Sequence, residues 1–322
     1  MRVVFMGTPE FAVPSLKALL DSRHEVVGVV TQPDRPRGRG KAVMPSPIKA
    51  LAQAEGIPVL QPAKMKDPDF LDALKASKPE VIVVVAFGRI LPASILALPP
   101  RGCINVHASL LPRYRGAAPI QWALIRGETH TGVTTMLMDE GMDTGPILLQ
   151  EVVPIAPDDT TIELSRRLAE VGGRLLLTTL REWEAGGLVP RPQNHAEATM
   201  APMLKKEDGL IDWTLSAEEI ANRVRGLVPW PGAYTFYQES RLTIWKAKPQ
   251  ACDGGKSSSD VVPGTILAVE KAAILVATGN GVLAILEIQP ANRKRMTVQE
   301  FLAGHRLMRG ERLSAQPAHR SS

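Results

Sequence analysis

Residues 103–116 read Cys-Ile-Asn-Val-His-Ala-Ser-Leu-Leu-Pro-Arg-Tyr-Arg-Gly, a short alternating strand that runs into a loop punctuated by proline and glycine. Because successive side chains of a strand point to opposite faces, we expect Asn105 and His107 to lie on one side. An amide can donate a hydrogen bond to a developing oxyanion, and an imidazole can donate one or move a proton. The pair is a candidate site for acyl chemistry. The alternative is that two polar residues simply mark the end of a strand.

A second polar stretch, Met-Asp-Glu-Gly-Met-Asp-Thr-Gly at residues 138–145, forms a turn between two strand-like runs. A carboxylate on this turn could orient the imidazole of His107 and stabilise its charged form, as acids do beside catalytic histidines. The turn holds Asp139, Glu140 and Asp143, and their spacing alone does not choose among them. A solvated acidic turn accounts for the first two more readily than for Asp143.

Composition is that of an ordinary globular protein. The 322 residues suit two domains, and 44% hydrophobic with 22% charged residues is the usual balance for a soluble chain. The two cysteines, Cys103 and Cys252, exclude a disulfide framework, and the scattered histidines show no metal-ligand spacing. The first residues resemble a strand and a turn rather than a secretory leader, and no apolar run is long enough to span a bilayer. We therefore expect a cytoplasmic protein without a metal and without a membrane segment.

The first half of the chain alternates strand and helix patterns. The unbroken apolar run 81–86 is typical of a strand buried on both faces. Such alternation predicts an α/β fold, a Rossmann-like and mostly parallel sheet with ligands beyond the carboxyl ends of its strands. The first turn, Gly7-Thr-Pro, is not the Gly-x-Gly-x-x-Gly fingerprint, so a bound dinucleotide is not expected.

The pattern changes in the second half. A helical stripe over 160–184 is followed by a proline-punctuated stretch and then by several short strands at regular spacing. Five such strands favour a small OB-like β-barrel. We predict a Rossmann-like domain over residues 1–188, a linker over 189–204, and an OB-like domain over 205–322.

A basic segment at residues 33–49 interrupts the first domain. It contains five cations (Arg35, Arg37, Arg39, Lys41 and Lys49) against one acid, Asp34, which leaves a local charge of +4. Its prolines and glycines disfavour regular structure, so a loop is expected. A charged loop of this kind either binds a polyanion or is simply solvated.

Several stretches together resemble one family. They are Phe5–Phe11, the segment 33–49, Asn105–His107, Ser109–Pro112, Arg113–Pro119, Asp139–Gly145 and Lys205–Trp213. They resemble the formyltetrahydrofolate-dependent formyltransferases, most closely the branch that acts on methionyl-tRNA. The resemblance covers most of the chain, and the block around His107 is highly specific.

The resemblance implies a reaction. 10-Formyltetrahydrofolate, as co-substrate, would give its formyl group to the α-amino group of methionine on initiator methionyl-tRNA. Asn105 would donate to the oxygen of the tetrahedral intermediate. His107, supported by Asp143, would stabilise that oxygen and help to move the amine proton toward the folate nitrogen. No metal is required.

The resemblance also assigns binding residues. The folate donor would be held by the segment Ser109, Leu110, Leu111 and Pro112. The acceptor end of the tRNA would meet the basic segment, with Arg39 as the main contact and Arg37 and Lys41 beside it. The OB-like domain would bind tRNA as well, and the protein is expected to act as a monomer.

Three other functions stay open. Sugar-nucleotide formyltransferases use the same donor and are the main alternative. Glycinamide ribonucleotide formyltransferase shares the chemistry but lacks an appended barrel. A non-catalytic RNA-binding protein would have no use for the complete set of Asn105, His107 and Asp143.

Overall fold

The computed structural model describes residues 1–37, 42–250 and 261–316, with only the backbone for 35–37 and 42–43. The chain forms two compact units. Unit 1 comprises residues 1–119, 130–154 and 164–202, and unit 2 comprises 120–129, 155–163 and 203–322. Residues 120–129 and 155–163 belong to unit 2 although the residues on their outer sides belong to unit 1, so no single position in the sequence separates the two units.

Unit 1 contains nine strands and four complete helices among its described residues. The strands are β1 (Arg2–Gly7), β2 (Glu25–Val30), β3 (Arg35–Arg37), β4 (Ala42–Met44), β5 (Val59–Leu60), β6 (Val81–Val85), β7 (Cys103–His107), β8 (His130–Leu137) and β9 (Ile147–Pro154). The helices are α1 (Val13–Leu20), α2 (Pro47–Ala54), α3 (Pro68–Ala76) and α4 (Ala93–Leu96). Of two further helices, α5 (Pro119–Ile125) belongs to unit 2 except for its first residue, and α6 (Thr161–Glu184) belongs to unit 1 except for its first three residues.

One seven-stranded sheet forms the centre of unit 1, in the order β5-β2-β1-β6-β7-β8-β9. The strands from β5 to β7 are parallel, whereas β8 and β9 are antiparallel. Every residue of β6 is buried, because helices of a doubly wound sheet cover both faces. The prediction of a Rossmann-like, mostly parallel sheet is confirmed.

Two sequence-distant stretches of unit 1 meet at strand β7. Strand β7 ends at His107, and the turn after β8 carries residues 138–145. Since β7 and β8 run antiparallel with Asn105 opposite Met136, the end of β8 lies beside the start of β7. The turn then folds back toward the carboxyl end of β7.

Unit 2 is built on a curled antiparallel sheet. Its elements are α7 (Ala217–Gly226), β10 (Ala233–Tyr237), β11 (Ser240–Gln250), β12 (Ile266–Val269), β13 (Ile274–Ala277), β14 (Val282–Pro290), β15 (Met296–Thr297), α8 (Val298–Leu302) and β16 (Leu313–Ser314). The strand order is β12-β13-β14-β11-β10-β16, with β15 beside β14. The prediction of a small OB-like β domain is confirmed. Helix α7 begins with a capping box in which Ser216 and Glu219 bond each other's backbone.

The stretch that was expected to be a linker packs within unit 1 as far as residue 202. Arg191 exchanges backbone hydrogen bonds with Ile147. The N–H of Ala201 donates to the Arg115 carbonyl, and its carbonyl accepts from the N–H of Ala118. Ala201 is fully buried. These contacts are invisible in the local pattern because an extended chain that pairs at isolated bridges has no periodic signal.

In the part of the chain that the structure describes, no helix is both long enough and apolar enough to cross a membrane.

Candidate active site

The imidazole of His107 lies between a carbonyl and a carboxylate. Its Nε2 is 2.9 Å from the carbonyl oxygen of Tyr114, and its Nδ1 is 3.6 Å from Oδ2 of Asp143. Because a carbonyl oxygen only accepts, Nε2 must carry a hydrogen and donate it. Nδ1 is therefore the nitrogen that faces the carboxylate.

Asn105 reaches the same carboxylate. Its Nδ2 donates to Oδ1 of Asp143 at 3.4 Å, a long hydrogen bond. Asn105 and His107 are 9% and 7% exposed, so little of either side chain meets solvent. The amide of Asn105 and the imidazole of His107 thus meet at the carboxylate of Asp143.

Asp143 is held in an unusual backbone conformation. Its φ is 53°, in the left-handed region that a residue with a Cβ seldom adopts. Oδ2 accepts a 2.8 Å hydrogen bond from the backbone N–H of Gly116. A Cβ at Gly116 would lie 2.8 Å from the carbonyl oxygen of Ala201, so glycine is needed for this close approach.

The other two acids of the turn have different surroundings. Oδ1 of Asp139 accepts from the backbone N–H of Gly141 at 3.1 Å and from the Thr144 hydroxyl at 2.7 Å. Both Asp139 and Glu140 are exposed. The structure therefore chooses Asp143 as the acid beside His107, a choice that the spacing left open.

A glutamine from the stretch 189–202 also reaches the turn. Nε2 of Gln193 donates to the carbonyl oxygens of Asp143 at 2.9 Å and Gly145 at 2.7 Å. Sequence reasoning missed this residue. Its only local signal was a polar side chain in a weakly patterned stretch, which does not predict burial.

The segment Ser109–Pro112 bonds mostly to its own unit. The Ser109 hydroxyl donates to the Arg113 carbonyl at 2.6 Å, and the Leu111 N–H donates to the Thr134 hydroxyl at 3.1 Å. Ser109 and Leu111 are buried, whereas Leu110 and Pro112 are half-buried. Any ligand contact from this segment would therefore come mainly from Leu110 and Pro112.

A cavity of about 490 Å³ adjoins the acidic turn. It is lined by Met65, Lys66, Ile90, Leu91, Pro92, Ala93 and Glu140. Ile90 is 77% exposed. The cavity offers a mostly apolar wall with an acid at its edge. The sequence of the loop after β6 contains no motif that predicts this cavity.

Comparisons with known proteins identify the family of this chain. The family model for formyl transferases matches residues 1–180, and the model for the formyl transferase C-terminal domain matches residues 203–306. A methionyl-tRNA formyltransferase of Desulforamulus reducens is 52% identical over 310 residues, which cover 96% of each chain. The chain belongs to the methionyl-tRNA formyltransferase family.

Two solved structures share the fold of this family member at low identity. WlaRD, a sugar 3N-formyl transferase, has a TM-score of 0.66 and 17% identity, covering 91% of this chain and 99% of its own. HypX from Aquifex aeolicus, in complex with tetrahydrofolic acid, has a TM-score of 0.60 and 19% identity, covering 94% of this chain and 47% of its own.

The basic segment of this family member is described only in part. Arg39 and Lys41 lie outside the described residues. Arg37 belongs to β3, whose backbone pairs with Ala42 of β4. The side chains of Arg37, Arg39 and Lys41, the three predicted tRNA contacts, therefore lie outside the described part of the structure.

Hydrogen bonds between polar side chains join the two ends of the basic segment. Nζ of Lys49 lies 2.5 Å from Oδ2 of Asp34, and Gln61 donates to Oδ1 at 2.9 Å. These hydrogen bonds, that of Lys49 first, lower the pKa of Asp34 below its ordinary value. Lys49 and Asp34 therefore neutralise each other, and the local charge of +4 comes from Arg35, Arg37, Arg39 and Lys41.

Cys103 has a structural role. Cys103 is buried in β7, and burial raises the pKa of its thiol to about 12. It is therefore an inert core residue. Among residues 1–37, 42–250 and 261–316 no cluster of three histidine, cysteine or acidic side chains could hold a metal ion.

Proposed function

We propose that the protein transfers the formyl group of 10-formyltetrahydrofolate to the α-amino group of methionine on initiator methionyl-tRNA. The observation that carries the proposal is the meeting of Asn105, His107 and Asp143 in a chain with full-length similarity to a methionyl-tRNA formyltransferase. An amide, an imidazole and a carboxylate at one point are the groups that acyl transfer to an amine requires.

The hydrogen bonds already made in the site determine which donors and acceptors can act on the substrates. The neutral amine attacks the formyl carbon, a C–N bond forms, and the carbonyl oxygen gains negative charge. Asn105 has two amide hydrogens, of which one points toward Asp143, so the other can donate to that oxygen. Fixed donors of this kind stabilise an oxyanion because they need no reorganisation during the reaction.

His107 would move the proton. Nε2 already donates to Tyr114, so Nδ1 is the nitrogen that can take a proton from the attacking amine. The same proton passes to the folate nitrogen as its bond to the formyl carbon breaks. Asp143 stabilises the imidazolium that exists between these two transfers.

The donor would lie in the cavity beside the acidic turn. Its mostly apolar lining around Ile90 and Leu91 suits a flat ring, and Glu140 at its edge can accept hydrogen bonds from ring nitrogens. Leu110 and Pro112 would contact the donor from the Ser109–Pro112 segment. A solved structure with the same fold, HypX, contains tetrahydrofolic acid, which supports a folate donor.

The acceptor would be tRNA, recognised by the segment 33–49 through Arg37, Arg39 and Lys41 and by the C-terminal domain. A sugar nucleotide is the competing acceptor, since WlaRD has the same fold. The much higher identity to a methionyl-tRNA formyltransferase favours tRNA. Residues 1–188 would carry catalysis and 205–322 tRNA binding, in a cytoplasmic monomer.

The test offers three acceptors to the full-length protein with 10-formyltetrahydrofolate. These are charged initiator methionyl-tRNA, charged elongator methionyl-tRNA and a nucleotide-linked amino sugar. We expect formyl transfer to initiator methionyl-tRNA far above the other two. Faster transfer to the amino sugar, or release of formate without transfer, would contradict the proposal.

A further inference from the structure

The side chain of Gln193 is buried and fully bonded. It is 6% exposed, and both hydrogens of its amide are donated, one to the carbonyl of Asp143 and one to that of Gly145. Because carbonyl oxygens only accept, the amide can have only one orientation. Gln193 therefore hydrogen-bonds the backbone of the acidic turn on both sides of Thr144.

The other end of this amide is held by a buried cation. Oε1 of Gln193 accepts from Nε of Arg115 at 3.1 Å and from Nη2 at 2.6 Å. Arg115 is 6% exposed, and its Nη1 donates to Nδ1 of His195 at 3.2 Å. Hydrogen bonds from a charged donor are stronger than neutral ones, so the guanidinium fixes the position of the amide.

The backbone around Arg115 is fixed in turn by the same stretch of chain. The Arg115 N–H donates to the Thr199 carbonyl at 2.8 Å, and the Arg115 carbonyl accepts from Ala201 N–H at 2.7 Å. The next residue, Gly116, donates its N–H to the carboxylate of Asp143. Asp143 is thus held at its carboxylate by Gly116 and at its carbonyl by Gln193.

We propose that Gln193 is a positioning residue that acts through Asp143, an inference that rests on the proposed role of that carboxylate. The positive φ of Asp143 is an unfavourable conformation that persists only where neighbours impose it. Gln193 bonds the backbone of this residue directly. Without it, the turn can relax and Oδ2 moves away from Nδ1 of His107.

The expected effect is on the chemical step. A displacement of about 1 Å at a catalytic group can slow a reaction by roughly 10²-fold, so Gln193→Met should slow single-turnover transfer by roughly 10- to 100-fold. Methionine has nearly the shape of glutamine but donates no hydrogen bond. Affinity for 10-formyltetrahydrofolate and for initiator methionyl-tRNA should stay unchanged, because Gln193 does not line the donor cavity.

A double-mutant cycle separates positioning from general stabilisation. If Gln193 acts through the carboxylate of Asp143, Gln193→Met should slow formyl transfer when it is introduced into the wild-type protein. It should cause no further loss of rate when it is introduced into Asp143→Asn. Gln150→Met is the matched control. Gln150 also donates two hydrogen bonds inside unit 1, to the Leu111 carbonyl and the Thr134 hydroxyl, without bonding the turn. Any effect of Gln150→Met should multiply with that of Asp143→Asn.

Each outcome has one meaning. Effects of Gln193→Met and Asp143→Asn that multiply would overturn the positioning role while leaving the proposed function intact. A normal rate for Asp143→Asn would overturn both. If Gln193→Met does not fold, Gln193→Glu replaces it, since a carboxylate still accepts from Arg115 but cannot donate to the turn. A normal transfer rate in that variant would also reject the positioning role.

Discussion

The acidic turn 138–145 and the basic segment 33–49 both leave the central sheet of unit 1, and they are held in different ways. In the turn, Asp143 is bonded at its carboxylate and at its carbonyl. In the segment, the described bonds include the backbone pairing of β3 with β4 and, where the two ends of the segment meet, the bonds of Asp34 with Lys49 and Gln61. Bond-making chemistry depends on sub-ångström placement, whereas attraction of a polyanion depends on charge and tolerates a range of positions.

This contrast predicts two different kinds of variant. Changes around the turn should alter the transfer rate at every salt concentration. Changes in the segment should alter the salt dependence of tRNA binding while transfer from bound substrates stays the same.

The largest expected effect is that of His107→Ala. Loss of a positioned proton-transfer group costs about 10²–10⁴-fold in rate. Single-turnover formyl transfer measures it, with circular dichroism to check folding. A variant that is folded and transfers at nearly the normal rate would show that His107 is not the proton carrier.

Asn105→Ala should have the next largest effect. Removal of one oxyanion donor costs about 10²–10³-fold in rate. The loss should appear in the transfer rate at saturating substrates and not in folate affinity. If only the affinity for folate fell, Asn105 would be a binding residue and not an oxyanion donor.

Asp143→Asn and Asp139→Asn form a matched pair on one turn. The first keeps the shape but removes the charge that supports the imidazolium, and we expect a fall of at least about 10²-fold in transfer rate. The second affects an exposed carboxylate that bonds Gly141 and Thr144, so its effect should be mild. The opposite ranking would mean that Asp139 is the functional acid.

Arg39→Ala tests the segment. Each lost phosphate contact should reduce the slope of log K against log salt by about one unit for a duplex contact, with folate affinity intact. Arg174→Ala is the control, because Arg174 is an exposed arginine of helix α6 that pairs with Glu151. Equal slopes for Arg39→Ala and the wild type would make the segment an ordinary solvated loop.

Asp34→Asn should have the smallest effect, and one that depends on pH. The folded-state pKa of Asp34 is depressed, so its contribution to stability is present above the unfolded-state value and is lost as the pH falls through the folded one. At pH 7 the variant should unfold at a slightly lower temperature than the wild type. The difference should begin to shrink as the pH falls below about 4, the ordinary pKa of aspartate, and should be lost as the pH falls through the lower folded-state pKa. A difference that does not shrink below about pH 4 would mean that the carboxylate is not the cause.

Local pattern was enough for the features that depend on neighbouring residues. The two-residue period of a strand put Asn105 and His107 on one side, and both side chains lie at Asp143. The apolar run at β6 predicted a buried parallel strand, and the short strands after residue 230 predicted a small β domain. These predictions succeed because burial on one or both faces leaves a direct periodic trace in the sequence.

Tertiary structure alone decided which groups meet across long sequence distances. Spacing did not distinguish Asp143 from Asp139. The pairing of β7 with β8 places the turn beside the start of β7, and Asp143 reaches His107 because the turn folds back, held by Gly116 and Gln193. Gln193 and Arg115 lie in irregular stretches, yet both are buried, Gln193 bonded to the turn and Arg115 bonded to Gln193. Lys49 looked like a cation available to a polyanion, yet it bonds Asp34. Hydrogen bonds between such residues have no sequence period, because their partners are set by the packing of the whole unit.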